Sequence, residues 1–378
     1  MSASHNPGTR NEQRATSNQR RAVIVVEDDP FPRLIQVILD PDTPAARLDA
    51  FSHFFAHELP DFAGWCERLR ARLGNLYPAQ VRLVADQASL LAAAPGAGIV
   101  VTESLAVGEA EIVASGGALR LVQKYGTVVS NIDAHACAQA AIRVLTLRRR
   151  ANVSCAEHAM ALMLALARKI HESAGLVSTE QLKAAGYSPT QYDRAHTANA
   201  NWARITGTRN LSRAQLGIVG LGEIGREVAL RARAFGMRIV YTQRRRLAPY
   251  EESRFGATWA PLEELLAGSD FVTLHLPTND GTRGIIGRRE LERIKPGAIL
   301  VNISRPQLVD RAALLEALQA GKLGGFGLDP HYDAPGRADD PLLRFRNVII
   351  TPHLAAAPRF NSLDDFEELL LGLNHEFR

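Results

Sequence analysis

The sequence has few cysteines and no long apolar run. It holds three cysteines in 378 residues, Cys66, Cys137 and Cys155, and they lie far apart. This odd, scattered set supports neither a disulfide framework nor a C-x-x-C metal site, so we expect no metal and a reducing, cytoplasmic environment. The longest uninterrupted apolar run, residues 159–167, is far shorter than the roughly 20 residues of a membrane-spanning helix. We therefore expect no membrane segment.

A strong charge imbalance is also missing. The formal net charge is +4, and the 40 acidic residues are spread along the whole chain. Two arginine triplets, 148–150 and 244–246, are flanked neither by a helix-turn-helix pattern nor by stacking aromatics, so we expect no nucleic-acid partner. The first twenty residues are polar and lack the apolar segment of a secretory signal, which predicts a disordered tail over 1–20.

Short apolar runs alternate with helical patterns from residue 22 onward. Such alternation predicts an α/β fold with parallel sheets, and the length is sufficient for two domains. A helix predicted from Cys155 to Arg168 is apolar on nearly every side, so we expect it to be buried between domains or between subunits. Residues 176–212 are polar and irregular, which indicates a connection. The predicted strands include 23–26, 81–84, 98–101, 121–125, 142–145, 216–219 and 237–241, followed by 271–277, 298–303, 325–329 and 348–353.

Three glycines join an apolar run to a helical pattern near the middle of the chain. They are Gly220, Gly222 and Gly225, in the spacing G-x-G-x-x-G between two predicted strands. The first glycine permits a sharp turn, the second lets the backbone approach a pyrophosphate, and the third lets the helix pack against the strand. The N-terminus of the helix then directs free N–H groups toward the phosphates. This stretch predicts a dinucleotide-binding site.

Ordered motifs over residues 119–360 resemble the D-isomer-specific 2-hydroxyacid dehydrogenases. Beside the glycine turn, the matching stretches are Asn131-Ile132-Asp133, Ala156-Glu157-His158, Leu276-Pro277, Lys295-Pro296-Gly297-Ala298, Val301-Asn302-Ile303-Ser304-Arg305, Gly327-Leu328-Asp329 and Thr351-Pro352-His353. The resemblance implies two Rossmann-like or flavodoxin-like α/β domains with the active site in the cleft between them. The substrate domain would comprise 21–176, completed by 353–378, and the dinucleotide-binding domain 177–352. We also expect a homodimer.

The same resemblance implies roles for individual residues. Arg305 and His353 would be catalytic, and Asp329 would contact the cofactor near the nicotinamide. Further positions for cofactor binding are Glu223, Ile224, Leu276, Pro277, Ile303 and Ser304, alongside the three glycines. The positions for substrate binding are Thr127, Val128, Asn131 and Arg305.

The chemistry of a 2-oxo acid agrees with the two catalytic positions. Its carboxylate and carbonyl oxygens lie in one plane, which a guanidinium such as Arg305 binds while it polarises the carbonyl for hydride attack. The resulting alkoxide needs a proton, which an imidazole such as His353 can donate and take back. We therefore expect hydride transfer between NAD(P)H and a 2-oxo or D-2-hydroxy acid.

The residues after the second strand of the dinucleotide unit indicate which cofactor is preferred. An NAD-binding domain usually places an acidic residue there, on the ribose 2′-hydroxyl. This chain instead has Gln243, followed by Arg244 and Arg245. A neutral amide beside guanidinium groups favours a 2′-phosphate, and so NADP over NAD.

Some positions depart from the family pattern. The carboxylate that usually pairs with the catalytic histidine is replaced by Ala334, with Asp333 next to it. Val128 and Pro306 stand where glycine is usual, which stiffens and crowds the backbone. The arginines at 148–150 replace a small-residue stretch near the expected cleft, which suggests an unusual or extra-anionic substrate.

These departures leave a second hypothesis open, a catalytically impaired nucleotide-sensing binding protein on the same fold. The presence of both Arg305 and His353 favours the enzyme. Three further residues in the motifs have structural interpretations. Glu157 and His158, near the start of the predicted long helix, and His275, at the end of a predicted strand, are expected to be structural.

Overall fold

The computed structural model describes residues 21–377, so the predicted tail over 1–20 lies outside the described part of the chain. Two parallel sheets form the framework, as expected. The first is five-stranded, in the order β2-β1-β3-β4-β5. Its strands are β1 (Ala22–Glu27), β2 (Ala79–Val84), β3 (Ile99–Thr102), β4 (Leu121–Lys124) and β5 (Arg143–Leu145). Every pairing in it is parallel, because helices connect successive strands.

Helices cover both faces of this first sheet. One face buries Ile24 and Val26 with Phe55 and Phe62, and the other buries Val25 and Val100. This two-sided burial explains why the strands are continuous apolar runs. The helices are α1 (Arg33–Leu39), α2 (Ala45–Phe55), α3 (Phe62–Arg70), α4 (Gln87–Ala93), α5 (Glu109–Ala114) and α6 (Ala134–Gln139).

The second sheet has seven strands, in the order β12-β11-β10-β9-β6-β7-β8. They are β6 (Gln215–Val219), β7 (Arg238–Thr242), β8 (Ala257–Trp259), β9 (Phe271–Leu274), β10 (Ile299–Asn302), β11 (Gly325–Leu328) and β12 (Val348–Ile350). The strand order reverses beside β6, between β9 and β7. In such a sheet, the carboxyl ends of the strands at this reversal form the ligand crevice.

The long apolar helix spans the junction between the two sheets. It runs as α7 (Arg150–Ala167), and its residues Ala156, Met160 and Met163 are buried in one cluster with Leu216 of the second sheet. The predicted division after residue 176 groups this helix with the first sheet. Its apolar side chains pack with the second sheet instead, because that sheet presents the matching apolar face.

The remaining helices complete the two layers. They are α8 (Ile170–Ser173), α9 (Thr179–Ala184), α10 (Glu223–Ala234), α11 (Pro249–Phe255), α12 (Leu262–Gly268), α13 (Arg288–Arg293), α14 (Arg311–Gln319) and α15 (Phe360–Glu376). Helix α15 returns to the first sheet, where Phe366 and Leu370 join its core. Apart from α9, the stretch 176–212 has no regular helix or strand. No helix within residues 21–377 is long and apolar enough to cross a membrane.

Candidate active site

The glycine turn joins β6 to α10 and leaves space at the helix N-terminus. Gly220 has φ +97, and a Cβ there would lie 2.5 Å from the carbonyl oxygen of His275. A Cβ at Gly225 would lie 2.2 Å from the carbonyl oxygen of Gly220, whereas Gly222 has no neighbouring heavy atom within 4 Å. The first and third glycines therefore allow close packing, and the second faces open space. A pyrophosphate against the helix N-terminus fits this arrangement.

The segment after β7 holds the residues expected to select the cofactor. Gln243 accepts a hydrogen bond from the Leu221 N–H (3.2 Å) and donates one to the Arg245 carbonyl (2.6 Å). Arg246 makes a two-point ion pair with Glu252 (2.8 and 2.9 Å). Hydrogen bonds from Arg246 and Tyr241 lower the pKa of Glu252 to about 2. Arg244 and Arg245 are exposed and make no ion pair with any described residue.

The turn after β10 presents Arg305 at the edge of the sheet. Buried Asn302 accepts from the Ser304 N–H (3.1 Å) and donates to the Arg305 carbonyl (2.8 Å). The Ser304 hydroxyl donates to the Leu274 carbonyl (2.8 Å), which ties the turn to β9. Pro306 begins a single 3₁₀ turn, where a missing N–H costs nothing. The proline therefore does not obstruct the exposed Arg305 side chain.

Three of the expected cofactor positions lie around the same edge. Ile303 is buried below the turn, and Leu276 packs against Gly220. Pro277 is exposed and follows directly. His275 precedes them, and its Nε2 shares a hydrogen bond with the Thr273 hydroxyl (3.0 Å). Burial lowers its pKa to about 3, so a neutral imidazole agrees with the structural role expected for it.

The loop that carries His353 is held by a buried carboxylate. His353 is exposed and has a left-handed backbone, φ +60. Asp329, which is fully buried, accepts at Oδ1 from the Thr351 hydroxyl (2.8 Å) and the Leu354 N–H (2.7 Å). Its Oδ2 accepts from the Ala355 N–H (2.9 Å). Both oxygens of Asp329 are thus used by the His353 loop, a role that the sequence motif did not indicate.

His158 extends this network from α7. Its Nε2 lies 3.0 Å from the Thr351 hydroxyl oxygen, so the expected structural role is supported by a specific contact. Glu157 was expected near a helix N-terminus. It lies in the third turn, because α7 begins at Arg150, and it pairs with Arg231 (2.9 Å). Its role is therefore an ion pair and not a helix-dipole contact.

Asp333 does not replace the missing carboxylate beside His353. The Asp333 carboxylate lies close to His331 and Asp340. One ring nitrogen of His331 and one carboxylate oxygen from each aspartate are all within 4.8 Å of one another. Arg311 also pairs with Asp340. No carboxylate among residues 21–377 makes an ion pair with His353. The Asp333 carboxylate therefore lies with His331 and Asp340.

The expected substrate loop follows β4 and already holds a carboxylate. Glu223, the first residue of α10, accepts from the N–H groups of Thr127 (2.7 Å) and Val128 (2.6 Å). It also accepts from the Thr127 hydroxyl (2.9 Å). The side chain of Val128 therefore does not prevent a carboxylate from reaching the Val128 N–H. Asn131 is engaged inside the loop, since it accepts from Lys124 (3.0 Å) and donates to the Leu105 carbonyl (2.7 Å).

Each arginine of the 148–150 triplet has a carboxylate partner. Arg148 makes a two-point contact with Glu227 of α10 (2.7 and 2.8 Å), and Arg150 pairs with Asp365 and Glu368 of α15. Arg149 pairs with Glu103 (2.7 Å) and stacks 4.1 Å over the Tyr125 ring. The triplet therefore joins structural elements, and these ion pairs do not support the extra-anionic substrate suggested by the sequence.

The three cysteines are free, as their spacing predicted. Cys155 lies within α7, where the charges of Arg149, Asp329 and Arg305 act on its thiol. Burial raises its pKa to about 11. The thiol is therefore neutral at physiological pH, and sequence reasoning had no signal for its position.

Comparison with known proteins supports the same interpretation. A family model described as D-isomer specific 2-hydroxyacid dehydrogenase, NAD binding domain, matches residues 160–355. A glyoxylate reductase from Korarchaeum cryptofilum is 38% identical over 251 residues, which cover 66% of this chain and 70% of that protein. A D-3-phosphoglycerate dehydrogenase from Archaeoglobus fulgidus is 33% identical over 286 residues, which cover 74% of this chain and 49% of that protein. The chain thus spans about half the length of that relative.

Solved structures agree on the fold. The TT0316 protein from Thermus thermophilus is 28% identical, with a TM-score of 0.51 and coverage of 94% of this chain and 97% of that one. The PH0520 protein from Pyrococcus horikoshii has a TM-score of 0.56 at 21% identity, with coverage of 93% and 91%. The chain belongs to the D-isomer-specific 2-hydroxyacid dehydrogenase family and is an enzyme of hydride transfer between a nicotinamide cofactor and 2-oxo or 2-hydroxy acids.

Proposed function

We propose that this enzyme reduces a small 2-oxo acid with NADPH, using Arg305 and His353. The observation that carries the proposal is that Arg244 and Arg245 after β7, and Arg305 after β10, have no carboxylate partner among residues 21–377. The glyoxylate reductases among the relatives support a small substrate. The substrate domain would be built on the first sheet and α15, and the dinucleotide-binding domain on the second sheet.

The cofactor would lie along the carboxyl ends of the second sheet. Gly220, Gly222 and the N-terminus of α10 would hold its pyrophosphate, because this turn combines open space at Gly222 with the N–H groups of a helix N-terminus. Leu276, Pro277, Ile303 and Ser304 would line its nicotinamide half. When bound, the nicotinamide supplies or accepts the hydride.

The preference for NADPH rests on charge. Arg246 is neutralised by Glu252, whereas Arg244 and Arg245 have no carboxylate partner among the described residues. No acidic residue occupies position 243 to repel a 2′-phosphate. Charge-assisted hydrogen bonds from guanidinium groups to a phosphate contribute about 1.5–3 kcal/mol each, or roughly 10- to 100-fold in affinity.

Fluorescence titration tests this preference. The Kd for NADPH should be lower than that for NADH, and the double variant R244A/R245A should lose at least tenfold in NADPH affinity with little change for NADH. R246A, which removes an arginine from the same segment that already has a partner, is the matched control and should change the NADPH affinity less. Equal Kd values for the two cofactors in the wild type would overturn the preference.

Arg305 and His353 would divide the chemistry of the substrate. The guanidinium of Arg305, which makes no ion pair in the described chain, would bind the carboxylate and polarise the carbonyl oxygen. The imidazole of His353 would donate a proton to the oxygen as it becomes an alkoxide, and would remove that proton in the reverse direction. Asp329 and Thr351 would keep His353 in position.

A substrate panel tests the reaction. Purified protein with NADPH should oxidise the cofactor in the presence of glyoxylate, hydroxypyruvate or pyruvate, and the product should be the D-isomer where it is chiral. No oxidation with any 2-oxo acid, together with tight NADPH binding, would favour a nucleotide-sensing protein instead.

We also propose a homodimer in the cytoplasm. The stretch that follows α7 exposes the apolar side chains of Ile170 (53%) and Val177 (78%), which a second subunit would cover. Three free cysteines agree with a reducing compartment. Light scattering of the purified chain should give twice the mass of one chain, and a monomer at micromolar concentration would contradict the proposal.

A further inference from the structure

One carboxylate connects the two domains across the cleft. Glu223 lies at the first turn of α10, in the glycine turn of the second sheet, yet its side chain is bound by residues 127 and 128 after β4 of the first sheet. Three donors reach it: the N–H groups of Thr127 and Val128 and the hydroxyl of Thr127, at 2.6–2.9 Å. Thr127 and Val128 are among the positions expected to bind the substrate, and their donors can hold its carboxylate from the side opposite Arg305's guanidinium or together with it.

The loop is shaped to receive a carboxylate at close range. A Cβ at Gly126 would lie 2.6 Å from Oε1 of Glu223, so any larger residue would push the carboxylate away from the amides. Gly126 also has φ +154, which L-residues with side chains rarely adopt. The N–H groups of two consecutive residues then point to one side, an arrangement that binds anions. We call Thr127, Val128 and Lys124 the carboxylate cradle.

Lys124 provides the positive charge behind the cradle. Its side chain is buried, it donates to Asn131 (3.0 Å) and the Glu103 carbonyl, and the Glu223 carboxylate acts on it more strongly than any other charge. Burial lowers the pKa of Lys124, and the Glu223 charge opposes that change. A buried ammonium favours anions close by, and the Glu223 carboxylate adds to those of Glu103 and Glu27 in supplying that charge.

We propose that Glu223 is an internal ligand of the carboxylate cradle, which the 2-oxo acid must displace in order to bind. The proposal rests on the proposed function, because it takes the loop as the place of the substrate's carboxylate. Displacement frees Glu223 from the first sheet and leaves the substrate bound to Thr127, Val128 and Lys124. Glu223 therefore sets the KM for the substrate. Only enzyme molecules with an empty cradle bind the substrate, so the apparent dissociation constant equals the intrinsic one divided by the fraction of empty cradles.

Two substitutions separate occupancy from simple repulsion. E223Q removes the charge and weakens the contact with the cradle. E223D keeps the charge at the same helix terminus, but its carboxylate is one methylene too short to reach both amides. If Glu223 occupies the cradle, both variants should lower the KM for glyoxylate at saturating NADPH, by roughly tenfold for an internal ligand that fills nine-tenths of the cradles. E264Q, at an exposed position in the first turn of α12, is the control and should leave the KM unchanged.

The outcomes decide the proposal in either direction. A lower KM in both E223Q and E223D supports it. A lower KM in E223Q alone indicates long-range repulsion of the anionic substrate and overturns it, as does a KM within twofold of wild type in both. If the wild type turns over no 2-oxo acid, the proposed function fails. The role of Glu223 is then tested by calorimetric measurement of the Kd for oxamate, a small anion with a carboxylate. In that assay, tighter oxamate binding by both variants supports the internal ligand, and unchanged binding refutes it.

Discussion

Replacement of Asp329 by asparagine tests how the fold positions His353. In D329N, the amide oxygen can still accept from Thr351 and Leu354, because both donate to Oδ1. The new NH₂ group takes the place of Oδ2 and faces the Ala355 N–H, so two donors meet at a contact of 2.9 Å. Loss of one charge-assisted hydrogen bond to a buried group costs about 1.5–3 kcal/mol. The lost contact is at Ala355, so the loop becomes less constrained only two residues away from His353.

We expect a corresponding loss in both stability and turnover. The free energy of unfolding in urea should fall by about 2 kcal/mol. The kcat for reduction should fall roughly 10- to 100-fold, since misplacement of an acid weakens transition-state contacts. D40N is the matched control: Asp40 is also buried and accepts from backbone N–H groups, those of Asp42 and Val81, but it lies in the first sheet's layer. It should lose stability and retain kcat.

A double-mutant cycle distinguishes positioning from general damage. In an H353A background, D329N should lower kcat by less than threefold, because the group it positions is already absent. The Kd for NADPH should stay within threefold of wild type if Asp329 acts on the loop. An additive loss of kcat in the H353A background, or a large loss of NADPH affinity with kcat preserved, would refute the positioning role.

Three further predictions concern Arg305, His353 and the domain interface. Steady-state kinetics should show a higher KM and a lower kcat for R305A, and a kcat lower by roughly 100-fold or more for H353A; wild-type turnover in either would remove that residue from the mechanism. A334E, which restores a carboxylate at the position where the family usually has one, should move the fall of kcat/KM for reduction to higher pH by about one unit, since a carboxylate stabilises imidazolium. D333N should leave that profile in place, and a large shift would show that Asp333 reaches His353 after all. Hydrogen bonds from Arg148, and then from Arg231, lower the pKa of Glu227 below its ordinary 4.5, so Glu227 stabilises the fold above pH 4.5 and loses that effect as the pH falls below it. E227Q should therefore lower the free energy of unfolding at pH 7 by about 2 kcal/mol and by much less at pH 3; an equal loss at both would contradict this.

The sequence alone was enough to predict the two parallel sheets, the nucleotide turn and the family. Strand and helix periods are local properties, and the turn at Gly220, Gly222 and Gly225 depends on backbone freedom that only glycine has. Arg305 and His353 followed from motif order together with the chemistry of a 2-oxo acid. The helical pattern at 155–168 predicted α7 but missed its first turn, because Arg150 and Asn152 interrupt the apolar run.

Other features were decided by tertiary structure. The partner of α7 depended on which sheet presents a complementary apolar face, which periodicity does not encode. The triplet at 148–150 became three ion pairs because Glu103, Glu227 and Asp365 converge on it from distant parts of the chain. Asp329 met the His353 loop across two neighbouring strands. Thr127 and Glu223 are 96 residues apart, and only the approach of the two domains brings that loop and that helix terminus together. Side-chain type is a property of the sequence, whereas the group that satisfies a buried charge is fixed by which segments the fold places in contact.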